Sequence, residues 1–154
     1  MNHLISSKFD HKIQPMGKPR QVASDRWKKR PEVLRYRAFA DEIRLAAAAQ
    51  NFFLGSRCIM IFEFGMAPSW PKSKKEKMNG KPHQQRPDLD NAEKALFDIM
   101  LNEDSSVYTA FCAKFWAYEG RIRIYNIHST KDSSLESLIK HIEADELSAA
   151  KSWF

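Results

Sequence analysis

A chain of 154 residues, 43% apolar and 12% aromatic, suggests one domain with a core of its own, which excludes a disordered or fibrous protein. Its net charge of +6 favours an acidic partner over a neutral one. No apolar run approaches the roughly 18 residues a membrane helix needs, and the start, MNHLISSKFDHK, shows no signal-peptide pattern, so a cytoplasmic protein without a membrane partner is expected.

In chain order, residues 8–14 read as a short strand, followed by a turn carrying Pro15, Gly17 and Pro19. Residues 20–30 are basic and polar around Trp27, and 31–50 are helical, opened by Pro31 and striped by Val33, Leu34, Phe39, Ile43 and Leu45. Residues 58–66, CIMIFEFGM, form a strand apolar enough to be buried. Residues 67–87, with Pro68, Pro71, Gly80, Pro82 and Pro87, read as a long, mobile, basic loop, a kind that is often functional. A helix follows over 88–101, with Leu89, Ala92, Ala95, Leu96, Ile99 and Met100 on one face. Two β-rich runs, 107–118 and 121–128, are split by Glu119-Gly120, which signals a hairpin. The second run alternates Ile122, Ile124 and Ile127 with polar residues, as an edge or half-exposed strand would. A last amphipathic helix is expected over 133–147, capped by Ser133 or Ser134, within a C-terminal helix and tail over 133–154. The order β-α-β-α-β-β-α predicts a single α+β (mixed α/β) domain over 1–154, a mixed sheet flanked by helices. Cys58 and Cys112 lie in apolar runs and are expected as buried thiols.

Charge is segregated. Residues 8–37 carry ten Lys/Arg against three acids and residues 67–87 carry six against one, whereas 131–154 carry three against five. That distribution favours nucleic acid, although a solubilising surface produces it too.

Against this basic background stands RPDLDNAEKALFD, residues 86–98. Pro87 keeps the chain extended just before a helix start, so Asp88 and Asp90 converge there despite lying two apart. They are either a helix cap or ligands for a metal. Lys94 follows Asp90 by one helical turn, as a surface ion pair or as a cation for a phosphate, and Asp98 follows by another. Glu103 and Asp104, before the next strand, are a polar turn or a second acidic contribution to the same site. Carboxylates repel DNA unless a hard cation such as Mg²⁺ reverses the local sign, so acids inside a basic shell suit a nuclease better than a simple DNA binder.

Three stretches resemble the RusA-like crossover junction endodeoxyribonucleases, small Holliday junction resolvases frequent in phages and prophages. QPMGKPRQVASDRW (14–27) is similar to the family's N-terminal strand and Pro/Arg-rich turn, RPDLDNAEKALFD to its P-D-x-D-N-x-x-K-x-x-x-D motif, and EDSSVYTAFCAKFW (103–116) to its acidic junction and following strand, which ends in a lysine. The resemblance implies metal-binding, catalytic acids at Asp88, Asp90 and Asp104, an essential Lys94, dependence on Mg²⁺ (Mn²⁺ as a substitute), a homodimer, and paired nicks on four-way junctions in DNA recombination and repair. Where the family shows two adjacent aspartates, this chain has Glu103-Asp104, nearer to Asp90, and Asp104 is taken as the ligand. Lys18, Arg20, Lys72, Lys74, Lys75, Lys77, Lys81 and Arg86 are assigned to the DNA backbone. Trp27 and Trp70 either stack on unpaired bases or pack in the core or a dimer contact; part of the aromatic surface of Phe111, Phe115 and Trp116, or the helix beside it, is expected at the dimer interface. The rival readings are a non-catalytic nucleic-acid binder whose acids only cap a helix, and a flap or fork nuclease of the same chemistry.

Overall fold

The computed structural model describes residues 5–20 and 22–128, so the helix expected over 133–147 lies outside the described residues. The chain forms β1 (Ile5–His11), α1 (Pro31–Ala49), β2 (Arg57–Gly65), α2 (Lys72–Met78), α3 (Leu89–Met100), β3 (Thr109–Ala117) and β4 (Arg121–Ile127), with single 3-10 turns at Ala23–Arg26 and Asp104–Ser106. The architecture is α+β, as the element order predicts. The first strand ends at His11, earlier than expected, because its pairing with β4 ends there.

The four strands lie in the order β1-β4-β2-β3. β2 is the apolar run CIMIFEFG behind Arg57, too hydrophobic for an edge, and it takes an interior place. It pairs in parallel with β3 and antiparallel with β4. A parallel neighbour needs a long crossover, and residues 66–108, with α2 and α3, supply it.

Two expectations fail at this point. β3 and β4 do not form a hairpin, because β2 lies between them and residues 118–120 step over its end. Gly120 therefore serves close approach: a Cβ there would sit 2.5 Å from the Gln14 Cα. β4 is an interior strand, not an edge. Two of its polar residues are buried with partners: Arg123 donates to Glu63 at 2.6 Å, while the Asn126 amide accepts from Gly55 N–H and donates to Ser7 Oγ and the Phe53 carbonyl.

α1 and α3 pack on one face of the sheet. Tyr36, Phe39 and Ile43 of α1 and Ala92, Ala95, Leu96 and Ile99 of α3 share a core with Phe9, Met60, Phe62, Ile122 and Ile124. Ile59, Ile61, Phe115, Tyr125 and Ile127 cluster on the opposite face. Trp116 belongs to the helix-side core and Phe115 to the other cluster, against which the half-buried Phe111 packs. Trp116 and Phe115 are thus packed within the chain. Cys58 is buried and Cys112 half-buried; burial raises the Cys58 thiol to about 12 and pushes Cys112 up as well, so both stay protonated and inert.

Candidate active site at the start of α3

The segment expected as a loop over 67–87 contains the helix α2 and a strap fastened to β3. Gly80 N–H donates to the Trp116 carbonyl (2.8 Å), Trp116 N–H to Lys81 (2.9 Å) and His83 N–H to Lys114 (3.0 Å). Few apolar side chains mark this region in sequence, since the anchoring is by backbone bonds to an exposed sheet edge. His83 is the exception. It is buried, stacked on Phe64 with ring centroids 4.0 Å apart and set 4.3 Å from Trp116.

Burial, and then the Lys114 charge, depress the His83 pKa below the ordinary 6.5. The unfolded chain takes up the proton more readily than the folded one, so stability present above pH 6.5 is lost as the pH falls below it. Thermal midpoints measured from pH 8 to 5 are expected to decline below 6.5, and His83→Phe to flatten that decline; an equally steep fall in the variant would clear His83 of the effect.

The strap delivers the chain to Pro87 and the start of α3. Asp88 holds the N-cap position in an extended conformation (φ −64°, ψ 150°), and its carbonyl accepts from Ala92 N–H at 3.0 Å. Its carboxylate makes no capping bond. Asp90 lies in the first turn. Both side chains are exposed, as is Lys94 one turn on. The capping explanation left open by the sequence is thus not the one the geometry uses, and two carboxylates stand at the positive end of a helix dipole.

Gly17 crosses directly over this start. A Cβ there would lie 2.9 Å from the Pro87 Cβ and 2.4 Å from the Asn91 amide, so the Pro-rich turn at 15–19 packs tightly against the acidic motif. The same turn sends Lys18 to Asp98, 2.6 Å away. The hydrogen bond to Asp98 raises the Lys18 pKa, and this ammonium fastens the turn to α3.

Asp104 opens the 3-10 turn before β3 with Glu103 as its cap, and both are exposed. Among the described residues no group of three or more His, Cys, Asp or Glu side chains stands ready to hold a metal ion. Asp88 and Asp90 still suit a hard cation, because Mg²⁺ is commonly held by one or two carboxylates with water completing its shell.

The basic residues divide by what they touch. Arg20, Lys72, Lys74, Lys77, Lys81 and Arg86 are exposed and Lys75 half-buried. Lys72 lies 3.8 Å from Glu76, and Lys74 sits 3.8 Å over the Trp70 ring. Trp70 in turn packs on Trp116, so it serves the core, whereas Trp27 is 70% exposed. The turn carrying Trp27 is braced by Arg30, which binds Asp25 at 2.6 and 2.7 Å and the Arg20 carbonyl at 2.8 Å. The Arg30 bonds to Asp25, and then the Val22 N–H that donates to the same carboxylate, hold the Asp25 carboxyl down at about 2.

Sequence reasoning assigned no role to Lys114, although its motif contains it. Lys114 Nζ donates to the carbonyls of Gln85 (2.7 Å) and Pro87 (2.8 Å). The available signal was a single charge inside the apolar run TAFCAKFWA, since a charge in such a place needs a partner.

A family model described as Endodeoxyribonuclease RusA matches residues 12–125, a span that includes every acid discussed above. No curated protein matches the chain.

Proposed function

From the premise that the chain belongs to the RusA endodeoxyribonuclease family, we propose that it is a Mg²⁺-dependent nuclease that resolves four-way junctions by paired nicks, in recombination and repair of DNA inside the cell. The family assignment carries endonuclease action on Holliday junctions. The observation that supports the metal site is the pair Asp88 and Asp90 at a helix start, with the Asp88 carboxylate free of the cap bond its position invites.

In this reading Asp88 and Asp90 bind the cation, with Asp104, or Glu103 beside it, as a further donor. Mn²⁺ is an acceptable substitute. Bound there, the cation supplies an activated water and neutralises charge on the phosphate. Lys94, one turn along the same helix, sits where it can hold the phosphate or orient the attacking water. Arg20, the α2 lysines, Lys81 and Arg86 hold the DNA backbone without reading sequence. Each chain carries one Asp88–Asp90 pair and a junction must be nicked on two strands, so the acting form is a two-fold homodimer. The test is purified protein on a labelled four-way junction: nicks in symmetric positions with Mg²⁺ and none with EDTA are expected, and cleavage that persists in EDTA would remove the metal from the reading.

The basic helix gives a separate expectation. Neutralising Lys72, Lys74, Lys75 and Lys77 together weakens binding to every DNA shape and flattens the slope of log K against log salt by roughly 0.9 per lost phosphate contact. Fluorescence anisotropy across a salt series checks it, and an unchanged slope would turn α2 away from the DNA.

A further inference from the structure

Among the described residues β3 is an edge strand, and the strap bonds to its backbone at Gly80, Lys81 and His83. Beyond that point a side chain takes over. Ala110, Cys112, Lys114 and Trp116 alternate along β3, opposite Cys58, Met60, Phe62 and Phe64 of β2, so Lys114 rises on the face that α3 covers. Its ammonium donates to the Gln85 carbonyl at 2.7 Å and the Pro87 carbonyl at 2.8 Å. No ion pair to a carboxylate is formed by Lys114 among the described residues. A charged donor makes each such bond stronger than a neutral one would be. The second carbonyl belongs to the peptide that joins Pro87 to Asp88, so the lysine grips the chain at the last bond before the acidic pair.

We propose that Lys114 is a positioning residue for Asp88 and Asp90: by fixing the Gln85 and Pro87 carbonyls it sets the direction in which the chain enters α3 and preorganises the two carboxylates for a divalent cation. The inference rests on the reading of those two acids as cation ligands. Groups that orient metal ligands without touching the metal change affinity by about 10–100-fold when removed. The sheet edge thereby aims the site: β3 holds the strap through its backbone and the ligand pair through one side chain.

The experiment is a Mn²⁺ titration of the full chain without DNA, read by the paramagnetic resonance of the free ion, comparing the native protein with Lys114→Met. Affinity is expected to weaken by about 10–100-fold in the variant. The Mg²⁺ needed for half-maximal cleavage rises in step, and the rate at saturating Mg²⁺ recovers. Junction binding in EDTA stays within about twofold with the native salt slope. Unchanged Mn²⁺ affinity would overturn the proposal. So would weaker junction binding in EDTA with a slope smaller by about 0.9, which would make Lys114 a phosphate contact. A native chain that binds no Mn²⁺ overturns the cation assignment itself, and the proposal with it. If Lys114→Met is too unstable to titrate, Lys114→Gln, which loses the charge but keeps an NH₂ group with two donors, takes its place; a smaller weakening of Mn²⁺ affinity is then expected, and unchanged affinity again overturns the proposal.

Discussion

Asp90→Asn is expected to lower Mg²⁺-dependent cleavage of a four-way junction by on the order of 10³-fold, the size seen when one well-placed stabiliser of developing charge is removed. The substitution keeps the shape of the side chain and the first turn of α3, so the fold is undisturbed. It removes a negative charge from a site that must accept phosphate. Junction binding in the absence of metal is therefore expected to be unchanged or tighter, and that combination of lost cleavage and retained binding separates a ligand from a structural residue. Asp88→Asn should behave alike, since its carboxylate makes no capping bond. Were Asp88 only a cap, its replacement by Asn, an equally good cap, would leave the rate untouched. Native nicking by Asp90→Asn would remove the acidic pair from the mechanism.

Trp116→Ala is expected to destabilise the fold by about 3–5 kcal/mol, the usual cost of deleting a large buried aromatic. Trp116 is 7% exposed and packs against Trp70 and His83. Its backbone also binds both Gly80 and Lys81, so the strap lies directly over the cavity the change would leave. Out of a total stability of about 5–15 kcal/mol such a loss is large. Denaturant unfolding measures it, and Trp116→Phe should recover part. A loss below 1 kcal/mol would return Trp116 to the surface role suggested by its strand. Because the side chain is interior, light scattering is expected to give the same oligomeric mass for the folded variant as for the native protein.

The sequence by itself determined the local pieces. The 3.6-residue period of Ala92, Ala95, Leu96 and Ile99 fixed the buried face of α3, and Pro87 fixed where that helix could begin. The uninterrupted apolar run of β2 announced a strand buried on both faces. The motif from Asp88 to Asp98 carried the family, and with it the chemistry. All of these depend on neighbours within a turn or two, which a linear pattern displays.

Tertiary structure decided what depends on partners far along the chain. The alternating polar residues of β4 looked solvated, yet Asn126 and Arg123 are buried because Ser7, Phe53, Gly55 and Glu63 meet them across the sheet. Glu119-Gly120 looked like a hairpin turn, but β2 claimed the place between its two strands, since only an interior position buries both of its faces. The pairing of Lys18 with Asp98, 80 residues away, is likewise made by the fold. Lys114 meets the Pro87 carbonyl only because β3 runs beneath the strap, which lies 27 residues earlier in the chain. A lysine has the same letter whether its ammonium faces water, phosphate or two carbonyls, and only the packed chain determines which of these it meets.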